Sequence, residues 1–559
     1  MDMEKKNSPP LHKRRAFIPL ATFLGVLLVL LLSTRMTGRP PVVESITPRI
    51  GFPGDVMVIT GKYFADARNG GRVVIAGYSP VSSGYLEWTD TQISLRIPED
   101  VHSGLVRVIT RNGESKGQLF TNRKQIPVVV SGTARPGLPT INTLNPQSGP
   151  IGSVLTLNGM NFGLNRSSSR VFFTWVSGEE SLQYTADQAA AFIPALEYDQ
   201  DYRSWNDREI QVRVPDGAFS GHLVVRTDKG ESNAVYFEVE GEAGTKLYPE
   251  KRTFAVQFSV QIRDITASGP NNLYLWVPQI LGAPEQREFQ QVLEEPAPLF
   301  NDVNGVKLFR LENLETNGST TVLQSVMFDR YSVETKINSS KLSASYNENR
   351  KLYKKFTAYD GLIPSENERI KELGQAIVGR ERNPYRKARA IYYWILKRLL
   401  ASEPEEVEPY DILAALDARK ADSYIYAGLF CALARSVGIP SRPVAGYLVE
   451  LDLNSRRHYW AEFYLENVGW IPVDVYLGEG KLRAPLAPEI DPTTYYFGNL
   501  DFSHLALSKG VIQLNQMDPE GRAVRRPDIP SLQSVHEEAT GGLESYSAYW
   551  SDIEVLGIY

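Results

Sequence analysis

The sequence predicts a multidomain chain: one N-terminal transmembrane helix, two all-β sandwiches, a further β-domain and an α+β core. Three observations carry this. An uncharged apolar run stands near the N-terminus. A pattern of prolines and glycines recurs 98 residues apart. Strand-like alternation gives way to helical periodicity near Pro364, and strands return after it.

The bulk numbers fit this plan. At roughly 150 residues per domain, 559 residues make three or four domains. Hydrophobic content of 42% and charged content of 22% are ordinary for folded domains. A net charge of −5 gives no global reason to expect a nucleic-acid partner. The 35 prolines and 43 glycines suit short strands joined by turns. A single cysteine, Cys431, excludes an internal disulfide and any multi-cysteine metal cluster.

The run AFIPLATFLGVLLVLLLST, Ala16 to Thr34, carries no charge. As a helix it spans about 28 Å, close to the bilayer core. His12, Lys13, Arg14 and Arg15 precede it. Positive flanks stay cytoplasmic, so residues 1–15 are expected inside and the bulk of the chain outside. LLSTRMTG offers no A-x-A-like cleavage site, which favours a retained anchor over a signal peptide.

The repeat follows. ESITPRIGFPGDVMVITGKYF is echoed by NTLNPQSGPIGSVLTLNGMNF. Pro48, Gly54, Gly61 and Phe64 match Pro146, Gly152, Gly159 and Phe162, each 98 positions on. Trp88, Pro98, Gly104 and Gly113 match Trp205, Pro215, Gly221 and Gly230, each 117 on, so the second copy carries 19 extra residues between Phe162 and Trp205. Runs such as VMVIT and LVRVIT alternate as half-buried strands, and each copy reads as a small sandwich, 40–125 and 139–240. The P-x-x-G-P-x-G-x-x-x-x-x-x-G-x-x-F pattern resembles IPT/TIG immunoglobulin-like domains. That resemblance implies a fold and, loosely, a spacer, adhesion or partner-binding role. SGTARPGLP, residues 131–139, is the expected linker.

A third strand-rich region, 241–345, contains TFAVQFSVQI and NLYLWVP. It is similar to the β-domain that often precedes the core in bacterial transglutaminase-like proteins. In the core, 346–505, Asn383 is a good N-cap and Pro384 suits the first helical position. Ala388, Ile391, Ile395 and Leu399 make one apolar face. A second helix is expected from Asp422 or Ser423 to Gly438, where glycine stops it. SRPVAGYLVEL, HYWAEFYLE and GWIPVDVY then read as strands. Residues 506–559 are polar with little periodicity and read as a mostly disordered tail.

The core motifs resemble the papain-like transglutaminase-like family: R-x-x-G-I-P-x-R from Arg435 to Arg442, H-x-W-x-E from His458 to Glu462, and G-W-x-P-V-D from Gly469 to Asp474. In active members a cysteine within G-x-C-x-[DE]-[YF]-A attacks an amide or ester carbonyl, with histidine and aspartate as its partners. Counting back from R-x-x-G-I-P, the cysteine position falls on Ser423, and His458 and Asp474 keep the other two roles. The family glycine is Ala421 and the acidic residue is Ile425. Cys431 lies eight residues beyond, amid helix-packing residues, and reads as a small core side chain. A helix N-terminus and an imidazolium can ionise a thiol. They cannot ionise a serine hydroxyl, which needs a base during attack and a fitted oxyanion hole.

Three readings follow. The first is a membrane-anchored, outward-facing, non-catalytic domain that binds a peptide or protein. The second is a serine-based acyl hydrolase, transferase or protease using Ser423, His458 and Asp474. The third is a structural surface scaffold. No cofactor is expected. The other histidines, at 12, 102, 222, 504 and 536, show no ligand spacing, so no metal site is expected either.

Overall fold

The computed structural model describes residues 38–99, 101–122, 128–129, 137–178, 191–302, 305–402, 411–481 and 486–559. The expected anchor at 16–34, its basic flank and most of the 131–139 linker lie outside the described residues. No described helix is long and apolar enough to cross a membrane. The chain divides into two compact units, Met1–Val128 and Val129–Tyr559.

The first unit holds one sandwich. Its first sheet runs Val42–Thr47, Val56–Lys62, Gln92–Arg96, Tyr85–Trp88. The second runs Ile50–Gly51, Gln118–Asn122, Gly104–Thr110, Arg72–Ile75. Alternation in VMVITGK turns Met57 and Ile59 into a core with Ile46, Phe64, Val73, Ile93, Val106 and Phe120.

The second unit opens with the other copy, and its register repeats that of the first. Ile46 faces Ile59 as Leu144 faces Leu157, and each pair of strands has its bulge two or three residues before. The shared glycine is steric: a Cβ on Gly61 would fall 1.9 Å from the Val42 carbonyl oxygen, and on Gly159 2.0 Å from that of Thr140. The shared tryptophans close the same corner, Trp88 Nε1 donating to the Phe64 carbonyl at 3.0 Å and Trp205 Nε1 to that of Phe162 at 3.2 Å. The longer second copy adds a strand, Ala191–Pro194, on Arg170–Trp175.

The β-domain is built on Lys251–Pro278, which contains both predicted strands. Gln286–Glu295 and Thr320–Tyr331 extend its sheet on one side. The other side corrects the sequence reading, because the C-terminal residues are not a disordered tail. Arg522–Val524 and Glu537–Trp550 continue the sheet, and Glu554–Ile558 also pairs with Lys251–Pro278. Among them Glu537 is fully buried, with partners that the local sequence does not reveal. Glu537 accepts from Arg526 Nε at 2.7 Å, Trp550 Nε1 at 2.7 Å and the Tyr546 hydroxyl at 2.9 Å.

The core domain sets a four-stranded antiparallel sheet against helices. Its order is Gly469–Val473, Ser455–Leu465, Ser441–Val449, His504–Lys509, so the last strand crosses the expected end of the core at 505. Helix Ser423–Ser436 packs on this sheet, with Glu368–Val378 and Pro384–Arg398 against it. Asn383 caps the latter through Arg386 N, with Pro384 in its first turn, and Ala388, Ile391, Ile395 and Leu399 are buried as the periodicity requires. Gly438 ends the central helix at φ +82°, a left-handed conformation that favours glycine.

Candidate functional site

Asp422 caps the central helix by accepting the Ile425 amide at 3.0 Å, which makes Ser423 the first helical residue. Burial raises the Asp422 carboxyl, and the helix-start amides it accepts pull the other way. Ser423 is 3% exposed. Its Oγ accepts the Tyr459 amide at 3.2 Å, which ties it to the strand residue after His458. The Tyr424 and Tyr459 rings meet edge-on at 5.2 Å beside this bond.

His458 lies mid-strand on Ser455–Leu465, and Asp474 follows Gly469–Val473 on the neighbouring strand. His458 Nε2 and Asp474 Oδ2 are 2.6 Å apart, leaving Nδ1 as the other ring nitrogen. Asp474 Oδ1 accepts the Leu477 amide at 2.9 Å. Burial works against the Asp474 charge, but the imidazoles of His458 and His504 outweigh it and hold the carboxyl well below the usual range.

His504 was not among the sequence candidates. Its Nε2 lies 3.0 Å from the same Asp474 oxygen, and its Nδ1 lies 3.0 Å from Asp501 Oδ1. Asp501 also accepts the Tyr496 hydroxyl at 2.6 Å. The backbone makes this possible at Gly446, paired with both His458 and Ala506, where a Cβ would fall 1.9 Å from the Leu505 oxygen. The one local signal was the Asp501-x-x-His504 spacing.

His458, Asp474 and His504 present three potential ligand atoms within 4.8 Å of one another. Ligands bound tetrahedrally at about 2.05 Å stand roughly 3.3 Å apart. The 2.6 Å contact is too short for that, and one Asp474 oxygen serves both rings. The cluster is a hydrogen-bonded one.

The remaining motif residues serve packing. Arg435 donates to the Ser441 and Ala358 carbonyls, each at 2.9 Å, and to Asp360 at 2.7 Å. Arg442 binds Glu462 at 2.7 Å, pairs with Asp199 of the second sandwich, and lies 3.8 Å over the Trp470 ring. Lys509 joins Glu462 to Glu285 of the β-domain, both at 2.8 Å. Burial opposes the Glu462 charge, but Lys509 and Arg442 hold its carboxyl down at about 2. Trp460 and Trp470 are both 2% exposed core aromatics. Cys431 is fully buried, and burial pushes its thiol up to about 12.

Chemically, the His458–Asp474 pair can take up and orient a proton. Ser423 is placed at the helix start, but its oxygen accepts from Tyr459, and the Ile425 amide turns to Asp422.

Comparison with known proteins places these features. The IPT/TIG domain family matches residues 41–126 and 139–239, and the Transglutaminase-like superfamily matches 371–475. An uncharacterized protein of Haemophilus influenzae is 29% identical over 132 residues, 19% of this chain and 35% of that protein. The chain thus spans about a third of the length of this curated relative. Among solved structures, a proposed cysteine protease from Cytophaga hutchinsonii aligns at 15% identity and TM-score 0.37, covering 56% of this chain and 92% of that one. The periplasmic domain of TgpA from Pseudomonas aeruginosa aligns at 15% identity and TM-score 0.24, covering 41% and 87%. This chain carries two IPT/TIG domains followed by a transglutaminase-like domain.

Proposed function

We propose that the transglutaminase-like domain is non-catalytic, in a membrane-anchored, outward-facing protein that binds a peptide or protein partner. The observation that carries the non-catalytic reading is the state of Ser423. It is a serine where active relatives have cysteine, it is 3% exposed, and its oxygen accepts the Tyr459 amide. The acidic cap at Asp422 adds to this, since the Ile425 amide, turned to that carboxylate, is not free to receive an oxyanion. Partner binding draws support from the β-domain. Edge strand Gln286–Glu295 leaves Phe289, Val292 and Leu293 exposed, and Phe300 beyond it, as an extended partner would need.

The test is acylation. The full chain, treated with an activated ester or a fluorophosphonate and digested for mass spectrometry, is expected to show Ser423 unmodified. Acyl-Ser423 would establish the serine hydrolase reading, which the 2.6 Å His458–Asp474 contact favours. For the anchor, protease added to intact cells should cut beyond residue 40 while residues 16–34 stay in the membrane. A mature N-terminus after residue 34 would refute it.

A further inference from the structure

Asp474 meets two imidazoles, and the second has no part in a Ser-His-Asp order. Both nitrogens of His504 face carboxylates, Asp474 on one side and Asp501 on the other. A neutral imidazole donates from one nitrogen only, which would set the other nitrogen's lone pair against a carboxylate oxygen. The doubly protonated ring satisfies both contacts. Asp501 is itself held ionised, with the Tyr496 hydroxyl on one oxygen and the Ser503 amide on the other at 2.8 Å. The Trp460 ring meets His504 edge-on at 5.1 Å and the His458 ring lies 5.6 Å away. Arg330 Nε donates to the His504 backbone carbonyl at 2.6 Å.

We propose that His504 is a positioning residue of this site: a standing imidazolium that fixes Asp474 and takes up part of its charge. This rests on the reading of Ser423 as the former nucleophile position. Burial works against the cation, but Asp501 and Asp474 outweigh it and lift His504 to about 9. Asp474 Oδ2 therefore accepts from two rings while Oδ1 holds the Leu477 amide. His458 shares its carboxylate with a cation that is already there. The dyad then draws a proton from position 423 less strongly than one with the whole carboxylate behind it.

Two measurements test this. The first uses Ser423→Cys with Cys431→Ala, and compares it with the same chain carrying Asp501→Asn and His504→Gln. That pair removes the cation and its second carboxylate together, and Asp474 keeps His458 and the Leu477 amide. Alkylation by iodoacetamide at pH 7 is expected to quicken about tenfold, equivalent to roughly one unit of thiol acidity. An unchanged or slower rate, with the near-UV dichroism intact, overturns the proposal. The second uses the wild-type chain with 13C-labelled histidine. His504 is expected to stay doubly protonated through pH 8, and a neutral His504 ring at pH 7 overturns the proposal. The histidine signals decide the matter whether or not the thiol reacts. They are also independent of acylation at Ser423, which would end the non-catalytic reading alone.

Discussion

Replacing Arg442 with methionine tests whether the family's R and E positions here join domains. The guanidinium is 1% exposed and holds two carboxylates, Glu462 on the adjacent strand and Asp199 on the second sandwich. Methionine keeps much of the side-chain volume and removes the charge, leaving both carboxylates buried. Breaking a buried pair from one side costs about 3–5 kcal/mol, because the surviving charge is left without a partner. Glu462 keeps Lys509 at 2.8 Å, so the unpaired charge falls mainly on Asp199. Asp199→Asn should then recover part of the loss, giving a coupling of about 2 kcal/mol in a double-mutant cycle. Arg457→Met is the control. Its pair with Asp552 is 40% and 48% exposed, and such pairs contribute about 0–1 kcal/mol. The assay is urea unfolding followed by tryptophan fluorescence at pH 7. If Arg442→Met shifts the midpoint no more than Arg457→Met, or Asp199→Asn recovers nothing, the network does not join the sandwich to the core.

Three further outcomes are expected. The His504 imidazole stands at about 9 in the fold against 6.5 for the free group, so its contribution is fully present below pH 6.5 and is lost as pH rises through 9. The shift corresponds to about 3 kcal/mol, so urea midpoints should fall from pH 6.5 to 9.5 and flatten in Asp501→Asn/His504→Gln; a level wild-type profile would refute this. Cys431, fully buried with its thiol raised, should resist a chromogenic disulfide reagent in the folded chain and react fully in denaturant; rapid labelling of the native protein would contradict the packing. Truncation after residue 521 removes three strands that pair within the β-domain sheet and should abolish soluble, cooperatively unfolding protein, whereas a stable product would restore the view of these residues as a tail.

What the sequence determined by itself was local or recurrent. The Asn383 and Asp422 caps and the Gly438 stop depend on contacts within a few residues. The sandwiches were legible because the same steric demand, a backbone oxygen where a Cβ would stand, selected glycine twice at 61 and 159. Ser423, His458 and Asp474 were named from motif order, and the fold puts Ser423 beside the strand of His458 and His458 on Asp474. Only the tertiary structure decided which polar groups meet. His504 joins Asp474 from 30 residues away, and Arg442 joins Asp199 from 243. Glu537, which as sequence suggested a solvated tail, is buried against Arg526, Tyr546 and Trp550. A helix cap or a tight turn is an energy of neighbours along the chain, so sequence shows it. A buried charge is tolerable only beside its counter-charge, and that neighbour is supplied by chain topology, which no local pattern encodes.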